Sequence, residues 1–417
     1  MDTHRSEPLR VFLSVGEASG DALGASLIRA LRSQVPDLEA AGMGGPRMAR
    51  EGFKAWRDAR EVNVVGFVEV LRHLPRLFRL VDTLAKEVER FRPHAVVLVD
   101  VPDFNVRLAK RLQRLGIAAP IAMYVGPSVW AWRSGRVRTF RRFIHRMMVL
   151  FPFELPVWME GGVDAVCVGH PLLDEIPAMT MPNSPSPSLS LSMSMSSSSS
   201  PLLPPKTSNP RRVVALLPGS RWSELDRLFD PMLATAELLH VRGLVDRFVV
   251  PVAPTLDARA VRARLDRSPV SAVTEVYAGP EDERRARVAT ASLAIVASGT
   301  ATLEVALLGI PQIIVYRTHW LSYAIGRALA KVRFLGLPNL IAGREVVPEL
   351  LQGRLMPDRL AERAAELLAD DEAVHRARLL ALELRTLMGD GGAAERAAEF
   401  VLRMVEASPA YRLDRLT

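Results

Sequence analysis

The chain has 417 residues, of which 49% are hydrophobic, and this length allows two domains of ordinary size. Its single cysteine, Cys167, excludes an intrachain disulfide and favours a reducing compartment. The net charge of +8 indicates an anionic partner, such as a phosphorylated substrate, a membrane surface or nucleic acid. The charge is spread along the chain without a nucleic-acid-binding motif, so we predict no nucleic-acid partner.

The N-terminus lacks the charged, apolar and small-residue blocks of a signal peptide. No apolar run approaches the ~18 residues of a membrane-spanning helix. These two observations predict a cytoplasmic protein.

The N-terminal half, residues 1–176, alternates strand-like apolar runs with amphipathic helices, which predicts an α/β domain with a mostly parallel sheet. Asp21 is expected to cap the helix after the first strand, and Asp103 to cap a helix beginning at Phe104. The predicted strands are 9–15, 40–43, 95–100, 121–125, 147–150 and 165–168.

Residues 177–210 are rich in Ser, Pro and Met, cannot bury a core and are predicted to form a flexible linker. Residues 211–390 then repeat the α/β pattern, and residues 391–417 are predicted to form a C-terminal helix. Two doubly wound domains of this kind bind ligands in a cleft at the carboxyl ends of their strands. The predicted strands of the second domain are 213–217, 248–251, 273–277, 293–297 and 312–316.

Residues 294–311 contain the strongest candidate ligand site. A buried strand runs into the turn Ser298, Gly299 and Thr300 and then into a helix. Unpaired backbone N–H groups and the helix dipole make such a turn a site for a diphosphate, and Glu304 is within reach of an attached ribose. The same arrangement also occurs without a ligand in many α/β proteins.

Gly219, Ser220 and Arg221 form a second turn of the same kind, between the strand 213–217 and a helix. The guanidinium of Arg221 suits a phosphate clamp with two parallel hydrogen bonds. The alternative is a surface arginine in the first turn of the helix, which the helix dipole disfavours.

Asp100 stands at the carboxyl end of a strand, where open α/β sheets place their chemistry, so it is a candidate general base. A structural turn aspartate is the alternative. The turn after the first strand contains Glu17, Ser19 and Asp21 but lacks the G-x-G-x-x-G pattern of dinucleotide sites. Its carboxylates favour a sugar hydroxyl or an amide over a phosphate. No cluster of His and Cys suggests a zinc site.

Two further segments have two interpretations each. Trp130 and Trp132 share a loop with Pro127, where indoles form a docking or ligand surface or pack into a core. Residues 62–81 carry apolar side chains at helical spacing with arginines on another side, interrupted by Pro75. Such a segment lies on an anionic membrane, accepts acyl chains, or packs its apolar face on the sheet.

A series of motifs runs through nearly the whole chain outside the linker. In chain order they are GEASGD (16–21), GGPRM (44–48), GFVEVL (66–71), DVPDFN (100–105), PSVWAWR (127–133), FPFE (151–154), GHP (169–171), LPGSR (217–221), ASGTATLE (297–304) and LPNLIAGREVVPELLQ (337–352). Together they resemble lipid-A-disaccharide synthase, and PSVWAWR and LPNLIAGRE are specific to that family. The family usually has Ser before PSVWAW, whereas this chain has Gly126.

The resemblance implies a GT-B glycosyltransferase, with two Rossmann-like domains facing across a cleft and a helical C-terminus. The implied donor is UDP-2,3-diacylglucosamine and the implied acceptor is 2,3-diacylglucosamine 1-phosphate. The implied products are UDP and the β(1→6)-linked disaccharide 1-phosphate, formed with inversion and without a metal or a cofactor. Such enzymes act at the cytoplasmic face of the inner membrane of Gram-negative bacteria. Their C-terminal helices return to the first domain or to a partner subunit, which leaves a homodimer open.

The resemblance also implies roles for the candidate residues. Asp100 would take the proton from the 6-hydroxyl of the acceptor, while Arg221 and the two turns would hold the diphosphate and stabilise the leaving UDP. Glu304 would bind the ribose, and Asn339 would lie near the donor.

On the acceptor side, the resemblance places Glu17 and Asp21, with Ser19, Ser128 and Trp130 as further candidate substrate-binding residues. The segment 62–81 would meet the acyl chains and the bilayer. Two other functions stay open from the sequence. A UDP-sugar 2-epimerase of similar fold would act on the nucleotide sugar alone, and a non-catalytic basic protein would bind a membrane surface or nucleic acid.

Overall fold

The computed structural model describes residues 7–62, 67–127, 136–178, 212–319, 323 and 333–408. These residues form two compact units. The first unit contains the described residues up to 175 together with 323, 333 and 385–408, and the second contains the rest. Of the predicted linker, only residues 177 and 178 lie within the described ranges.

The first unit is built on a seven-stranded sheet in the order β3-β2-β1-β4-β5-β6-β7, and every neighbouring pair is parallel. All five side chains of β4, AVVLV, are buried, as expected of a parallel strand covered on both faces. The strands are β1 (Arg10–Val15), β2 (Glu39–Gly44), β3 (Lys54–Asp58), β4 (Ala95–Val99), β5 (Ile121–Tyr124), β6 (Arg146–Val149) and β7 (Asp164–Cys167).

The helices of the first unit follow its strands and bury their apolar faces against the sheet. Leu80, Val81, Leu84 and Val88 of α3 belong to this core. The helices are α1 (Ala18–Gln34), α2 (Pro46–Arg50), α3 (Phe67–Phe91), α4 (Pro102–Arg114), α5 (Val137–Phe140), α6 (Leu155–Glu160) and α7 (Leu172–Glu175). Two short 3₁₀ turns, Ala59–Val62 and Pro152–Glu154, lie between them.

The second unit is built on a six-stranded parallel sheet in the order β10-β9-β8-β11-β12-β13. Its strands are β8 (Val213–Leu217), β9 (Arg247–Pro251), β10 (Thr274–Tyr277), β11 (Leu293–Ala297), β12 (Gln312–Tyr316) and β13 (Glu349–Leu351). Its helices are α8 (Trp222–Val241), α9 (Ala258–Leu265), α10 (Glu281–Ala289), α11 (Thr300–Leu307), α12 (Leu337–Ala342), α13 (Pro357–Ala369) and α14 (Ala373–Met388), with 3₁₀ turns at Ser271–Val273 and Gln352–Arg354.

The division between the units falls within α14, and the chain ends its described part in the first unit with α15 (Ala393–Glu406). This helix packs on α1 and β4. Its start is anchored where the N–H of Gly392 donates to Asp174 Oδ1 at 2.5 Å and Arg396 Nε donates to the carbonyl of Val168 at 2.9 Å.

Both sheets have the Rossmann strand order, which confirms the predicted fold class of two Rossmann-like domains with a helical C-terminus. In each sheet the direction of winding reverses once, between β1 and β4 in the first and between β8 and β11 in the second. The carboxyl ends of those strands flank the crevice in which such sheets bind ligands. The two reversals therefore define where to look for a site.

Two of the predicted helix caps are wrong. Helix α1 begins at Ala18, so Asp21 lies inside its first turn, and its carboxylate instead caps α2. Helix α4 begins at Pro102, so Asp103 also lies inside the first turn, where its side chain pairs with Arg136. Among the described helices, none is both long and apolar enough to cross a bilayer.

Candidate functional site

At the reversal of the first sheet, the turn after β1 meets the turn after β4. Val15 pairs with Val99 in register, so Gly16 and Asp100 leave the sheet side by side. A Cβ on Gly16 would lie 2.4 Å from Val101 Cγ2, so glycine is required for the two turns to pack. Glu17 and Asp100 are half-buried there.

Asp100 occupies a left-handed turn between β4 and α4. Its φ is 53°, and Val101 follows with a φ of 39°. The main-chain N–H of Asp100 donates to the carbonyl of Tyr124 on β5 at 3.0 Å. Asp100 Oδ1 accepts from the N–H of Val101 at 2.9 Å. Asp100, the predicted base, therefore lies at the carboxyl end of the sheet, next to the point where the winding reverses.

The other predicted residues after β1 differ in what they offer a ligand. Ser19 is exposed in the first turn of α1. Asp21 is only 4% exposed, and its carboxylate accepts from the N–H groups of Gly45, Arg47 and Met48 at 2.9–3.1 Å. Asp21 thus ties the GGPRM motif to α1, because a carboxylate satisfies the N–H groups at the start of a helix.

Gly126, where the family that the chain resembles usually has Ser, lies against the side chain of Trp158. A Cβ on Gly126 would lie 2.7 Å from Cζ2 of the buried Trp158 ring. Among the described residues, the indole Nε1 of Trp158 has no hydrogen-bond partner. The predicted substrate-binding residues Ser128 and Trp130, like Trp132, lie outside the described residues.

At the reversal of the second sheet, the two predicted phosphate turns follow neighbouring strands, since Leu217 of β8 pairs with Val296 of β11. Gly219 has a φ of 112°, and a Cβ there would lie 2.3 Å from Glu224 Oε2. The side chain of Arg221 is 55% exposed, and its Nη1 lies 3.6 Å from Glu224 Oε1. The guanidinium is thus exposed at the start of α8.

Sequence reasoning missed Glu224. Its Oε2 accepts from the N–H of Ser220 at 3.0 Å, so the carboxylate occupies part of the turn expected to bind a diphosphate. The signal was present, because Arg221 is the residue before α8 and Glu224 stands three positions later, as in a capping box. A phosphate that takes the Ser220 N–H must displace this carboxylate.

The turn at 298–300 is open to a ligand. Gly299 and Thr300 are exposed, and Gly299 adopts a φ of 155° with open space where a Cβ would stand. Ser298 Oγ donates to the carbonyl of Leu335 at 2.9 Å, which fixes the start of the turn. Thr300 is already the first residue of α11, and its helix dipole favours an anion at that end.

Glu304, the predicted ribose ligand, is 6% exposed and held by two arginines. Arg284 Nη2 donates to both carboxylate oxygens at 3.0 and 3.2 Å, and Arg285 Nε donates to Oε1 at 3.1 Å. Glu281 pairs with both arginines from the start of α10. Oε2 receives one of these three bonds and keeps acceptor capacity for a hydroxyl. The sequence did not identify the two arginines.

Asn339, predicted to lie near the donor, is fully buried. Its Nδ2 donates to the carbonyl of Val347 and to Glu349 Oε1, each at 2.8 Å. Its Oδ1 accepts from the N–H groups of Val346 and Val347 at 2.7 and 2.8 Å. Glu349 in turn accepts from the N–H of Leu335. Asn339 therefore supports the segment to which Ser298 is bonded.

The chemistry available in the described ranges is that of carboxylates, arginines and helix N-termini. In those ranges no group of three or more His, Cys, Asp or Glu residues is placed to hold a metal ion. One reversal presents carboxylates and the other presents arginine and main-chain donors.

A family model described as lipid-A-disaccharide synthetase matches residues 11–401. The chain belongs to this family. It is 40% identical over 400 residues to the lipid-A-disaccharide synthase of Myxococcus xanthus, covering 96% of this chain and 98% of the relative. It is 37% identical over 398 residues to that of Syntrophus aciditrophicus, covering 95% of this chain and 98% of the relative. These matches confirm the resemblance and the prediction of a hexosyltransferase.

Solved structures support the fold. The chain is similar to a Staphylococcus aureus MnaA–UDP complex, with a TM-score of 0.61, 13% identity and coverage of 96% and 99% of the two chains. It is also similar to Acinetobacter baumannii MurG, with a TM-score of 0.54, 13% identity and coverage of 95% and 100%. At these identities the likeness concerns the fold, which glycosyltransferases and UDP-GlcNAc 2-epimerases share.

Proposed function

We propose that this chain transfers the sugar of UDP-2,3-diacylglucosamine to the 6-hydroxyl of 2,3-diacylglucosamine 1-phosphate, with inversion. The products are the β(1→6) disaccharide 1-phosphate and UDP. The observation that carries the proposal is that Asp100 follows β4 and Arg221 follows β8, so each lies at the winding reversal of its own sheet. The family resemblance implies that the first domain binds the acceptor and the second binds the UDP-sugar.

On this proposal Asp100 is the general base. Its carboxylate takes the proton of the 6-hydroxyl while the hydroxyl oxygen forms a bond to the anomeric carbon. The bond from that carbon to the UDP oxygen breaks on the opposite face, which inverts the configuration. Binding both sugars in one closed site supplies much of the acceleration, because the reacting atoms are held in line.

The departing UDP carries the electron pair of the broken bond, so its diphosphate gains charge in the transition state. The half-exposed guanidinium of Arg221 and the main-chain donors of the turn 298–300 are suited to that charge. The Glu224 carboxylate, now on the N–H of Ser220, is displaced when the diphosphate takes that donor. Glu304 Oε2 accepts a ribose hydroxyl while the arginines keep its carboxylate in place.

We further propose that the chain associates peripherally with the inner face of the inner membrane. On α3, Arg76, Phe78 and Arg79 are exposed, and Phe78 is 51% exposed despite its apolar ring. An exposed aromatic ring among arginines suits an anionic lipid surface. A homodimer is proposed on the family resemblance alone.

Incubation of the purified chain with each substrate alone and with both tests the reaction. We expect UDP and a tetraacyl disaccharide 1-phosphate, identified by mass spectrometry, only when both substrates are present. Nuclear magnetic resonance of the product should show the β linkage. Conversion of the nucleotide sugar without an acceptor would instead indicate an epimerase and would contradict the proposal.

A further inference from the structure

Left-handed backbone is concentrated beside the proposed base. The described non-glycine residues with positive φ are Arg92, Asp100, Val101, Val125 and Gln352, and three of these five lie at the carboxyl ends of β4 and β5. Aspartate tolerates this conformation, but a β-branched valine does so only at a cost. Such strain persists where surrounding contacts enforce it, and it clusters at functional sites.

The contact that enforces the turn is the side chain of Asn105, which is 1% exposed in α4. Asn105 Nδ2 donates to the carbonyl of Asp100 at 2.6 Å and to the carbonyl of Val99 at 3.2 Å. One amide nitrogen thus donates to both peptide groups that flank the Cα of Asp100. The bend between β4 and α4 is closed at that point.

A second side chain sets the orientation of the amide. Ser14 of β1 is fully buried, and its Oγ donates to Asn105 Oδ1 at 2.8 Å. The oxygen of the amide must face Ser14, because turning the group over would put that oxygen against two carbonyl oxygens. Strand β1 thereby orients Asn105, and Asn105 fixes the turn at the end of β4.

We propose that Asn105 is a positioning residue for Asp100. It holds the strained 100–101 turn so that the Asp100 carboxylate keeps a fixed orientation at the carboxyl end of the sheet. The inference rests on the proposed role of Asp100 as the base. Asn105 touches neither substrate in this account and acts only through the main chain of Asp100. Aspartate at this position cannot replace it, because a carboxylate has no hydrogen to donate to the two carbonyl groups.

The first experiment compares Asn105→Ala with Asp100→Asn in the full chain, assayed with both acylated substrates. We expect Asn105→Ala to lower kcat by about 100-fold, as a misplacement of about 1 Å does, with the KM for the nucleotide sugar unchanged. Asn105→Asp should be no better than Asn105→Ala, whereas Ser14→Ala should lose less.

The second experiment relieves the strain at its source. Glycine adopts left-handed backbone without cost, so Val101→Gly lets the turn form without a clamp. We expect Asn105→Ala/Val101→Gly to recover at least about tenfold in kcat over Asn105→Ala. A merely structural role of Asn105 predicts instead that the two losses add, and additive losses overturn the inference.

Leu108→Ala is the matched control for stability, since Leu108 is buried in the same helix but its apolar side chain cannot hydrogen-bond to the turn. We expect its melting temperature to fall at least as far as that of Asn105→Ala, with kcat retained in the folded protein. If kcat falls equally in both, the inference is wrong. If Asp100→Asn is inactive and Asn105→Ala is normal, only the inference fails. If Asp100→Asn retains turnover, the proposed base is wrong, and Asn105 has nothing to position.

Discussion

The turns at the two winding reversals adopt unusual backbone conformations in different ways. After β4, non-glycine residues enter left-handed backbone, and neutral groups of Asn105 and Ser14 hold them there. After β11, a glycine, Gly299, takes the unusual φ, and its carbonyl accepts from Thr302 Oγ1 at 2.7 Å. The nearby carboxylate of Glu304 is held by two arginines. In the first turn a buried amide holds non-glycine residues in left-handed backbone, whereas the second turn uses glycine and lies beside a buried ion pair.

The difference fits the chemistry proposed for each side. A cation against a carboxylate lowers its pKa and with it its ability to take a proton. Clamping the Asp100 turn with an amide avoids adding such a cation. Glu304 is proposed to bind a ribose hydroxyl and not to take a proton, and there two arginines hold the carboxylate in place. The comparison is tested most directly by substituting the side chains proposed to act at each turn.

The largest effect is expected for Asp100→Asn, which keeps the size of the side chain and removes the base. We expect kcat to fall by about 10³-fold, with UDP affinity measured by calorimetry unchanged, because general-base catalysis contributes on that scale. Asp103→Asn is the control, since it alters an exposed carboxylate, paired with Arg136, in the first turn of the helix that follows Asp100. Equal losses in the two variants would remove Asp100 from the mechanism.

Arg221→Ala should have the next largest effect. Loss of a donor aimed at the charge that builds up on the leaving diphosphate costs about 10²- to 10³-fold in kcat. Arg221→Lys should recover part of this loss, because it restores the charge but not the fork of two donors. Arg227→Ala, nearly two turns further along α8, alters an exposed arginine bonded to the carbonyl of Ser223 and should leave kcat unchanged. A normal kcat for Arg221→Ala would contradict its proposed role.

Glu304→Gln tests the charged side. The substitution leaves two arginines, each with a side chain only 13% exposed, without their buried carboxylate. Breaking a buried pair from one side costs about 3–5 kcal/mol, which urea unfolding would measure, and UDP affinity should fall as well. Glu281→Gln removes a more exposed partner of the same arginines and should cost less. If the two variants unfold alike, the Glu304 cluster is not a buried ionic site.

The smallest effect concerns the pH dependence of stability in the first unit. Burial lowers the pKa of His170 to about 4, and its Nδ1 accepts from the N–H of Leu172. The unfolded chain, with an ordinary imidazole pKa of about 6.5, then binds more protons than the folded chain between these values. Stability is therefore complete above pH ~6.5 and falls by about 3 kcal/mol as the pH drops to ~4.

Urea unfolding at several pH values would measure this loss. His170→Asn keeps an acceptor for the Leu172 N–H but does not titrate, so its stability should fall less over the same interval. Equal pH slopes in the two proteins would show that His170 is not the titrating group.

The fold was predictable from the sequence where strands are buried on both faces. Runs such as the five apolar residues of β4 have few other interpretations. The strands that the sequence did not predict, β3 and β13, lie at sheet edges. Strand β3 has three charged residues among its five and no fully buried side chain. Strand β13 has only three residues, and one of them, Glu349, accepts from the N–H of Leu335. Edge strands have weak hydrophobic patterns because they are less buried, so that pairing with the neighbouring strand identifies them more than their own sequence does.

The tight turns of the candidate site were predictable from local sequence, because glycine itself permits the positive φ at Gly219 and Gly299. They were not predictable when a distant partner decides the role. Asp21 caps a helix more than twenty residues away, because folding brings the GGPRM turn to it. Asn105 lies in the same DVPDFN motif as Asp100, but Ser14, which orients its amide, comes from β1, more than ninety residues earlier in the chain.

The pairing of Gly126 with Trp158 has an evolutionary consequence. The indole N–H of Trp158 is buried and unbonded among the described residues, and a Cβ at position 126 would press on the same ring. A serine hydroxyl there would offer the acceptor that this N–H lacks, but only if the Trp158 ring and the Met147 sulfur, 2.7 and 2.9 Å from that Cβ, first moved away. Positions 126 and 158 should therefore covary among homologues, with the serine accompanied by a smaller or shifted side chain opposite.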